Sequence, residues 1–324
     1  MADAQGRRIN YLRISVTDRC NFRCLYCMPD EGLQWLPKAD ILSYEEIAEV
    51  VRQLAPLGVR RLRITGGEPT IRPDLEALMA QLKAIDGIED LSLSTNGVKL
   101  AKKAPGYAAA GLDRVNISVD SLRPERIRTI ARRDLGLDPV EAALAAERAG
   151  LNPVKLNMVV MRGINDDEVE AVARLTLEHP WHVRFIELMP VGEMAALTWE
   201  HVVPSAEVLA RAADALGGIA PGDGPPIGNG PAKYYRAAGA PGSIGFITPM
   251  THTYCGDCNR VRLTADGRLR TCLFGTHEVD FRGALRGGQP LPPLFAQALA
   301  SKPPEHHLLA MDTGGLKALS QVGG

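Results

Sequence analysis

The sequence Cys20-Asn21-Phe22-Arg23-Cys24-Leu25-Tyr26-Cys27 places three cysteines near the start of the chain with the spacing C-x3-C-x2-C. The other three cysteines form a second triplet near the end, Cys255, Cys258 and Cys272. Structural zinc and ordinary iron-sulfur clusters take four protein ligands, so a site with three leaves one metal coordination position for a small molecule. The two triplets therefore indicate catalysis at a metal rather than a purely structural role.

Around the first triplet, strand-like and helix-like segments alternate over the first two hundred residues. The predicted strands are Tyr11 to Val16, Arg61 to Thr65, Leu91 to Thr95, Val115 to Val119, Val154 to Val160 and Val183 to Met189. Ser43 with Glu46 three residues later has the pattern of a capping box and predicts the start of a helix. Six βα repeats predict a parallel sheet. Because a closed TIM barrel has eight, we expect an α/β fold with an open, partial (βα)6 barrel of the TIM type.

Polar residues recur on one face of these strands. Alternation along each strand pairs Arg13 with Ser15, Arg63 with Thr65, Ser92 with Ser94, Asn116 with Ser118, and Lys155 with Asn157. Buried parallel strands normally read as continuous apolar runs, so repeated polar faces predict a wide barrel interior that holds a polar ligand. For any single strand, a face turned to solvent is an equal alternative. Arg184 is a weaker candidate for this polar face, because alternation groups it with Ile186 and Leu188.

Composition argues against several other classes of protein. The chain has 324 residues, 45% of them hydrophobic, which predicts one large domain with a smaller one. We expect domains 1–215 and 216–324, because a predicted helix ends where the glycine- and proline-rich stretch 217–231 begins. A net charge of −1 argues against nucleic-acid binding. No stretch approaches the roughly 18 apolar residues of a membrane span, so we expect a cytoplasmic protein without membrane association.

The second triplet falls in the predicted smaller domain. Cys255 and Cys258 occupy a predicted turn, and a hairpin through residues 265–267 returns the chain to Cys272. Arg260 and Arg262 share one face of the first hairpin strand, and their guanidinium groups suit a triphosphate or a carboxylate. An ordinary solvated strand face is the alternative for these arginines.

Zinc is the rival metal for both triplets. His252 and His277 are near the second triplet, and Cys3His is a common structural zinc set, so spacing alone leaves the choice between zinc and a cluster open. For the first triplet zinc is disfavoured, because no histidine precedes His179.

Two segments resemble the radical S-adenosylmethionine superfamily. They are the C-x3-C-x2-C loop with Tyr26 before its last cysteine, and Gly66-Gly67-Glu68-Pro69, which follows a predicted strand. The chain as a whole resembles the GTP 3′,8-cyclase family of molybdenum-cofactor biosynthesis. That resemblance is carried by residues 17–20, 63–69, 116–120, 154–157, 185–190, 255–263 and 269–274 and by the terminal Gly323-Gly324.

The resemblance implies two 4Fe-4S clusters and S-adenosylmethionine as cofactors. A cluster on Cys20, Cys24 and Cys27 would reduce S-adenosylmethionine, and the resulting 5′-deoxyadenosyl radical would take the hydrogen at C3′ of GTP. The carbon radical would add to C8 of guanine, and one further electron would complete 3′,8-cyclo-7,8-dihydro-GTP. A cluster on the second triplet would hold the guanine ring. The family thus favours a C-terminal, cluster-binding α+β extension over zinc.

Individual roles are likewise implied by position in the family. The residues implied to contact S-adenosylmethionine are Tyr26, Gly67, Ser118 and Met189. Those implied to bind GTP are Arg13, Arg63, Ser94, Lys155, Arg260 and Arg262. Catalytic roles are implied for Arg13 and for Gly323 and Gly324, which would reach into the active site. Lys317, Leu319 and Val322 replace the arginine, methionine and isoleucine frequent in the family, so the docking of this tail is open.

The same resemblance implies the partners. These are GTP as substrate, a reductant protein such as flavodoxin or ferredoxin, and the cyclic pyranopterin monophosphate synthase that receives the product. Monomer and homodimer both remain open. Two other functions stay in view: a radical S-adenosylmethionine enzyme that modifies a peptide, with the C-terminal cysteines as an electron relay, and a non-enzymatic metal or redox sensor.

Overall fold

A computed structural model describes residues 1–190, 197–222, 230–306 and residue 321. The predicted tail residues Gly323 and Gly324, together with Lys317, Leu319 and Val322, lie outside the described residues. Within the described chain, no helix has both the length and the apolar character needed to cross a membrane.

All six predicted strands are confirmed, with ends within two residues of those expected. They are β1 (Tyr11–Ser15), β2 (Arg61–Thr65), β3 (Asp90–Thr95), β4 (Arg114–Ser118), β5 (Lys155–Val160) and β6 (His182–Glu187). The later strands are β7 (Ala220–Pro221), β8 (Lys233–Arg236), β9 (Ser243–Ile247), β10 (Arg260–Leu263), β11 (Arg268–Arg270) and β12 (Glu278–Asp280). The helices are α1 (Tyr44–Leu54), α2 (Leu75–Lys83), α3 (Leu100–Ala109), α4 (Pro124–Ala131), α5 (Pro139–Arg148), α6 (Val169–Glu178), α7 (Ser205–Ala215), α8 (Phe281–Arg286) and α9 (Leu291–Ala300).

The strands form one sheet in the order β12-β11-β10-β1-β2-β3-β4-β5-β6-β9-β8-β7. Its two ends are not paired with each other, which confirms an open, partial barrel. The sequence did not predict that β10 pairs in parallel with β1 and that β9 pairs in parallel with β6. Strands from the C-terminal part of the chain therefore widen the six-stranded sheet on both sides. The division at residues 215 and 216 stays a prediction.

The barrel wall is held by the apolar faces of the strands, which pack under the helices. Leu12, Ile14, Leu62 and Ile64 are fully buried and belong to one core cluster with residues of α1. Such a core excludes water from the outer face of the sheet, so the polar residues between them must face the barrel interior, called the lumen below.

The capping box at Ser43 is present. The Glu46 N–H donates to Ser43 Oγ at 3.1 Å, and the Ser43 N–H donates to Glu46 Oε2 at 2.8 Å. The cap begins α1, whose buried face packs on the outer side of the sheet.

We expect Ser43→Ala to lower the free energy of unfolding by about 1 kcal/mol, because the Glu46 N–H loses its acceptor. Ser43→Asp supplies another acceptor and should remain close to the wild type. Urea unfolding followed by circular dichroism measures both variants, and equal stability of Ser43→Ala and the wild type would show that the cap contributes nothing.

Candidate active site

The first cysteine triplet lies on a loop that several backbone contacts hold in place. The Cys27 N–H donates to the Cys24 carbonyl at 2.9 Å, which closes a tight turn between these two cysteines. The backbone N–H groups of Arg23 and Leu25 donate to carbonyls at the end of α4 at 2.8 and 3.0 Å. The Arg23 guanidinium donates back to the Cys20 carbonyl and lies over the ring of Trp35. The three thiols are therefore fixed relative to the strand ends.

A cavity of about 240 Å³ lies beside this loop at the carboxyl ends of the strands. The structure brings together there most of the residues implied by resemblance to act on S-adenosylmethionine: Cys20, Cys24, Cys27, Tyr26, Gly67, Ser118 and Met189. Ser94, implied to bind GTP, lines the same cavity. Sites in parallel α/β sheets form at this edge, where the loops after successive strands converge.

Two glycines allow the segment after β2 to approach the cysteine loop. The Gly67 N–H donates to the Thr17 carbonyl at 2.8 Å, and the Glu68 N–H donates to the Arg19 carbonyl at 2.9 Å. A Cβ on Gly67 would lie 2.2 Å from the Arg19 carbonyl oxygen. Gly66 has a φ of +154°, and a Cβ there would lie too close to the Thr17 carbonyl oxygen. Only residues without a side chain fit this approach.

Glu68 stabilises the neighbouring strand ends from within the site. Its buried carboxylate accepts hydrogen bonds from the Asn96 N–H at 2.7 Å, the Thr95 hydroxyl at 2.7 Å and the Thr70 N–H at 3.0 Å. Burial raises the pKa of Glu68, and these hydrogen bonds oppose the rise. The carboxylate thus links the ends of β2 and β3 at the cavity wall.

Tyr26 is held by Asp120, which follows β4. The Tyr26 hydroxyl donates to Asp120 Oδ2 at 2.7 Å, and the Val159 N–H donates to Asp120 Oδ1 at 3.0 Å. Burial raises the pKa of Asp120 to about 6, although both hydrogen bonds act to lower it. Because the Tyr26 hydroxyl is occupied, this residue offers its backbone to a ligand in the cavity.

Deeper in the lumen, arginines stand side by side on neighbouring strands. The register places Arg13 of β1 opposite Arg63 of β2 on one side and Arg262 of β10 on the other. Arg63, Arg260 and Arg262 are buried, and each has a guanidinium nitrogen without a hydrogen-bond acceptor among the described residues. A buried donor without an acceptor is costly, so this arrangement is suited to an anionic ligand that supplies acceptors.

Arg184 belongs to the same group, although its apolar neighbours Ile186 and Leu188 made it the weaker candidate at the level of sequence. Its guanidinium donates to Asn157 Oδ1 at 2.8 Å and to Asn116 Oδ1 at 2.6 Å, both of them polar-face residues. Alternation correctly placed Arg184 and Ile186 on one face, but that face is the lumen. The opposite face of β6 carries Val183 and Phe185, which pack in the core.

The crowding of buried cations shifts their proton affinities. Lys155 is 1% exposed. Burial, followed by the charges of Arg184 and Arg114, lowers the pKa of Lys155 to about 5. Burial also lowers the pKa of Arg63 to about 10. The sequence analysis did not identify Arg114 as a residue of the polar face, although it alternates with Asn116 along β4. In the structure, Arg114 Nε donates a hydrogen bond to Asp90 Oδ1 at 2.6 Å. The lumen is therefore strongly cationic.

The second triplet lies next to this cationic wall. The Cys258 N–H donates to the Cys255 carbonyl at 3.2 Å, which confirms the predicted turn, and β10 and β11 form the predicted hairpin that leads to Cys272. Met189, at the cavity of the first triplet, packs in the same small cluster as Cys272. This apolar cluster thus connects the cavity of the first triplet with Cys272 of the second.

The thiols of the two triplets differ in their electrostatic surroundings. Burial raises the pKa of Cys20 to about 12 and raises the pKa of Cys24 strongly. Burial also acts to raise the pKa of Cys258, but Lys302, Arg260 and Arg262 outweigh it and lower that pKa. Lys302 had no signal in the sequence, because it precedes Pro303 and Pro304 outside any periodic element.

The geometry of the sulfur donors can be compared with what a metal requires. Across the described ranges, no three Cys, His, Asp or Glu side chains converge on one ion position. In a 4Fe-4S cluster each thiolate binds a different iron, and three cysteines around one cavity are suited to hold such a cluster. His252 and His277 are both exposed, which weighs against the Cys3His zinc site.

Comparisons with known proteins agree with this geometry. Residues 14–176 match the family model of the Radical SAM superfamily, and residues 181–308 match the model described as Molybdenum Cofactor Synthesis C. Proteins named GTP 3′,8-cyclase from Pelotomaculum thermopropionicum and Heliobacterium modesticaldum are 47% and 48% identical over 100% of this chain and of their own length.

Solved structures support the fold. The crystal structure of Streptococcus suis SuiB bound to S-adenosylmethionine superposes with a TM-score of 0.62, at 14% identity, over 98% of this chain and 72% of that chain. The complex of SuiB with its precursor peptide SuiA gives a TM-score of 0.63, at 14% identity, over 91% of this chain and 67% of that chain. At this identity the similarity concerns the fold alone.

We expect Gly67→Ala to push the Gly66–Pro69 segment away from the cysteine loop, because the added Cβ would overlap the Arg19 carbonyl. The overpacking should cost about 1–3 kcal/mol of stability and reduce iron loading at Cys20, Cys24 and Cys27. Gly256→Ala is the matched control, since its Cβ would meet no atom within 4 Å. Iron content after anaerobic reconstitution and thermal unfolding are the measurements; equal loading of both variants would contradict the close approach.

Proposed function

The chain belongs to the GTP 3′,8-cyclase family within the radical S-adenosylmethionine superfamily, and we propose that its two cysteine triplets serve two different ligands. The enzyme converts GTP to 3′,8-cyclo-7,8-dihydro-GTP in the first step of molybdenum-cofactor biosynthesis. Full-length similarity to curated cyclases replaces the peptide-modifying and sensor hypotheses. When bound, the two 4Fe-4S clusters supply the electron that splits S-adenosylmethionine and a coordination site for guanine.

The cavity beside Cys20, Cys24 and Cys27 would hold S-adenosylmethionine. Gly67 lines this cavity and has no side chain to cover its backbone groups. Ser118 adds a hydroxyl at the end of β4. Met189 contributes an apolar surface, and Tyr26 contributes backbone groups, because its hydroxyl is bound to Asp120. This wall of small polar groups and one thioether suits a cofactor with both a polar and an apolar end.

The lumen cations would bind the triphosphate of GTP, and this cationic wall is the observation that carries the assignment. Six basic residues belong to this group: Arg13, Arg63, Lys155, Arg260, Arg262 and Arg184. A nucleoside triphosphate carries about four negative charges at neutral pH, which the five arginines can balance. Ser94 lies between this group and the cavity of the first triplet, where the sugar of the substrate must face S-adenosylmethionine.

Arg13 is placed to act on the reacting part of the substrate. It stands between Arg63 and Arg262 on the strand that leads directly to the cysteine loop. Its guanidinium can orient GTP by paired hydrogen bonds and exclude water from the sugar. Gly323 and Gly324 lie outside the described residues, and the support for their role is the family resemblance together with the fit of glycines to narrow spaces.

Several finer assignments complete the proposal. A reductant protein such as flavodoxin or ferredoxin would deliver the electron to the first cluster, and the cyclic pyranopterin monophosphate synthase would consume the product. The protein would act in the cytoplasm. Division into domains 1–215 and 216–324 follows the change of composition, with the second unit contributing strands to both edges of the barrel.

Anaerobic incubation of the reconstituted protein with dithionite, S-adenosylmethionine and GTP should yield 5′-deoxyadenosine and the cyclised nucleotide. Cys255→Ala should retain some 5′-deoxyadenosine formation and lose the cyclised product, because guanine is no longer held. Cys24→Ala is the matched variant at the other site and should lose both products. An unchanged yield of cyclised nucleotide from Cys255→Ala would refute the substrate-holding role of the second triplet.

Proton uptake on GTP binding tests whether the triphosphate binds beside Lys155 in the lumen. With a pKa of about 5, Lys155 is neutral at pH 7 before binding, and a triphosphate beside it should raise that pKa and draw in nearly one proton. Calorimetry in buffers of different ionisation enthalpy measures the uptake. The Lys155→Met variant should bind GTP at least about tenfold more weakly than the wild type, and its binding should not be accompanied by proton uptake. Lys99→Met, at an exposed position, is the control; wild-type binding without proton uptake would contradict the assignment.

The lowered pKa of Lys155 also determines in which direction the stability of the protein changes with pH. Between about pH 5 and the usual value of 10.5, the unfolded chain holds the Lys155 proton and the folded chain does not. The contribution of Lys155 to the free energy of unfolding therefore rises with pH across this window. Lys155→Met should remove that slope.

A further inference from the structure

Lys302 is a buried lysine whose side chain ends at the second triplet. The residue follows α9, is 3% exposed, and places its Nζ 3.4 Å from Cys258 Sγ. The same Nζ donates to the carbonyls of Thr271 and Arg260. Thr271 directly precedes Cys272, so one ammonium group contacts the turn with Cys258 and the approach to Cys272.

The chemistry of these contacts favours a role toward sulfur. Two carbonyl acceptors alone do not neutralise a buried ammonium, and desolvating an unpaired charge is costly. The negative groups that act on Lys302 are Cys258 and Cys272. The lysine is thus buried where thiolates supply its counter-charge.

A second cation holds the same segment without contacting sulfur. Arg7 donates to the carbonyls of Cys255 and Pro304 at 2.8 Å and to the carbonyl of Pro303 at 2.7 Å. Residues 302–304 are therefore attached to the second triplet in two ways. Arg7 bridges their carbonyls to the carbonyl of Cys255, and Lys302 contacts the sulfur of Cys258. This difference separates attachment of the segment from a hydrogen bond to sulfur.

We propose that Lys302 is a positioning residue of the second iron-sulfur site, which donates a charged N–H···S hydrogen bond to Cys258 and raises the reduction potential of the cluster bound there. The proposal rests on the proposed function, since it assumes a cluster on Cys255, Cys258 and Cys272. Hydrogen bonds to sulfur and nearby positive charge both stabilise the reduced, more negative form of a cluster. At the first triplet, the described contact of Cys20 Sγ is with a neutral donor, the Phe22 N–H at 3.4 Å.

The experiment uses the full chain with Cys20, Cys24 and Cys27 replaced by alanine, so that iron binds only at the second triplet. After anaerobic reconstitution, iron content and an EPR-monitored redox titration are measured. Lys302→Met should lower the ratio of reduced to oxidised cluster about tenfold at a fixed solution potential, which equals 59 mV for one electron. Lys302→Arg should stay closer to the wild type, because it keeps charge and donors.

Arg7→Met is the control for attachment of residues 302–304. A full cluster with unchanged potential in Lys302→Met would overturn the proposal. If Lys302→Met and Lys302→Gln fail to load iron while Lys302→Arg loads, the charge at position 302 is required and the proposal stands. If Lys302→Arg and Arg7→Met fail as well, Lys302 serves only to attach the segment and the proposal falls. Absence of a cluster when Lys302 is intact would instead refute the cluster assignment itself.

Discussion

The lumen of this barrel confines more positive charge than its own carboxylates balance, and the rest of the site depends on that constraint. Three parallel strands align Arg13, Arg63 and Arg262 side by side, and Arg63 and Arg262 each have a buried guanidinium nitrogen without an acceptor among the described residues. The outer faces of the same strands are apolar and fixed by the core, so the charges cannot turn away. A bound polyanion would supply the missing acceptors, whereas without a ligand the buried charges lower the stability of the protein.

The same constraint explains how far the sequence could predict the site. The alternation of polar and apolar residues placed Arg13, Arg63, Ser94 and Lys155 toward the lumen, because a period of two is a local property of a strand. It gave only a weak indication for Arg184, whose lumen neighbours Ile186 and Leu188 are apolar: they border the cavity of the first triplet, and hydrophobicity alone cannot tell a cavity wall from a core. Parallel pairing of β9 and β10 with the outer strands of the predicted barrel involves partners far apart in sequence, and no local pattern encodes it.

The two triplets illustrate the limits of spacing as a signal. Spacing alone left the second triplet open between zinc and a cluster, whereas the structure distinguishes the two triplets by what surrounds them. Desolvation raises the pKa of Cys20 and Cys24, whereas the charges of Lys302 and of the two arginines of β10 lower the pKa of Cys258. Surroundings of this kind are assembled by tertiary packing. Lys302 and Cys258 are 44 positions apart in the sequence, and Lys302 itself lies in a segment without regular structure.

The pairing of β1 with β10 also bears on how the protein is made. Residues 11–14 cannot complete their parallel ladder until residues 260–263 have left the ribosome, so the wall carrying Arg13 and Arg262 forms last although half of it is synthesised first. Such distant pairing slows folding, and until it occurs β1 presents an open sheet edge prone to association with other chains. The arginines of the lumen and the second cysteine triplet thus both depend on a strand pairing that only late-synthesised residues can complete.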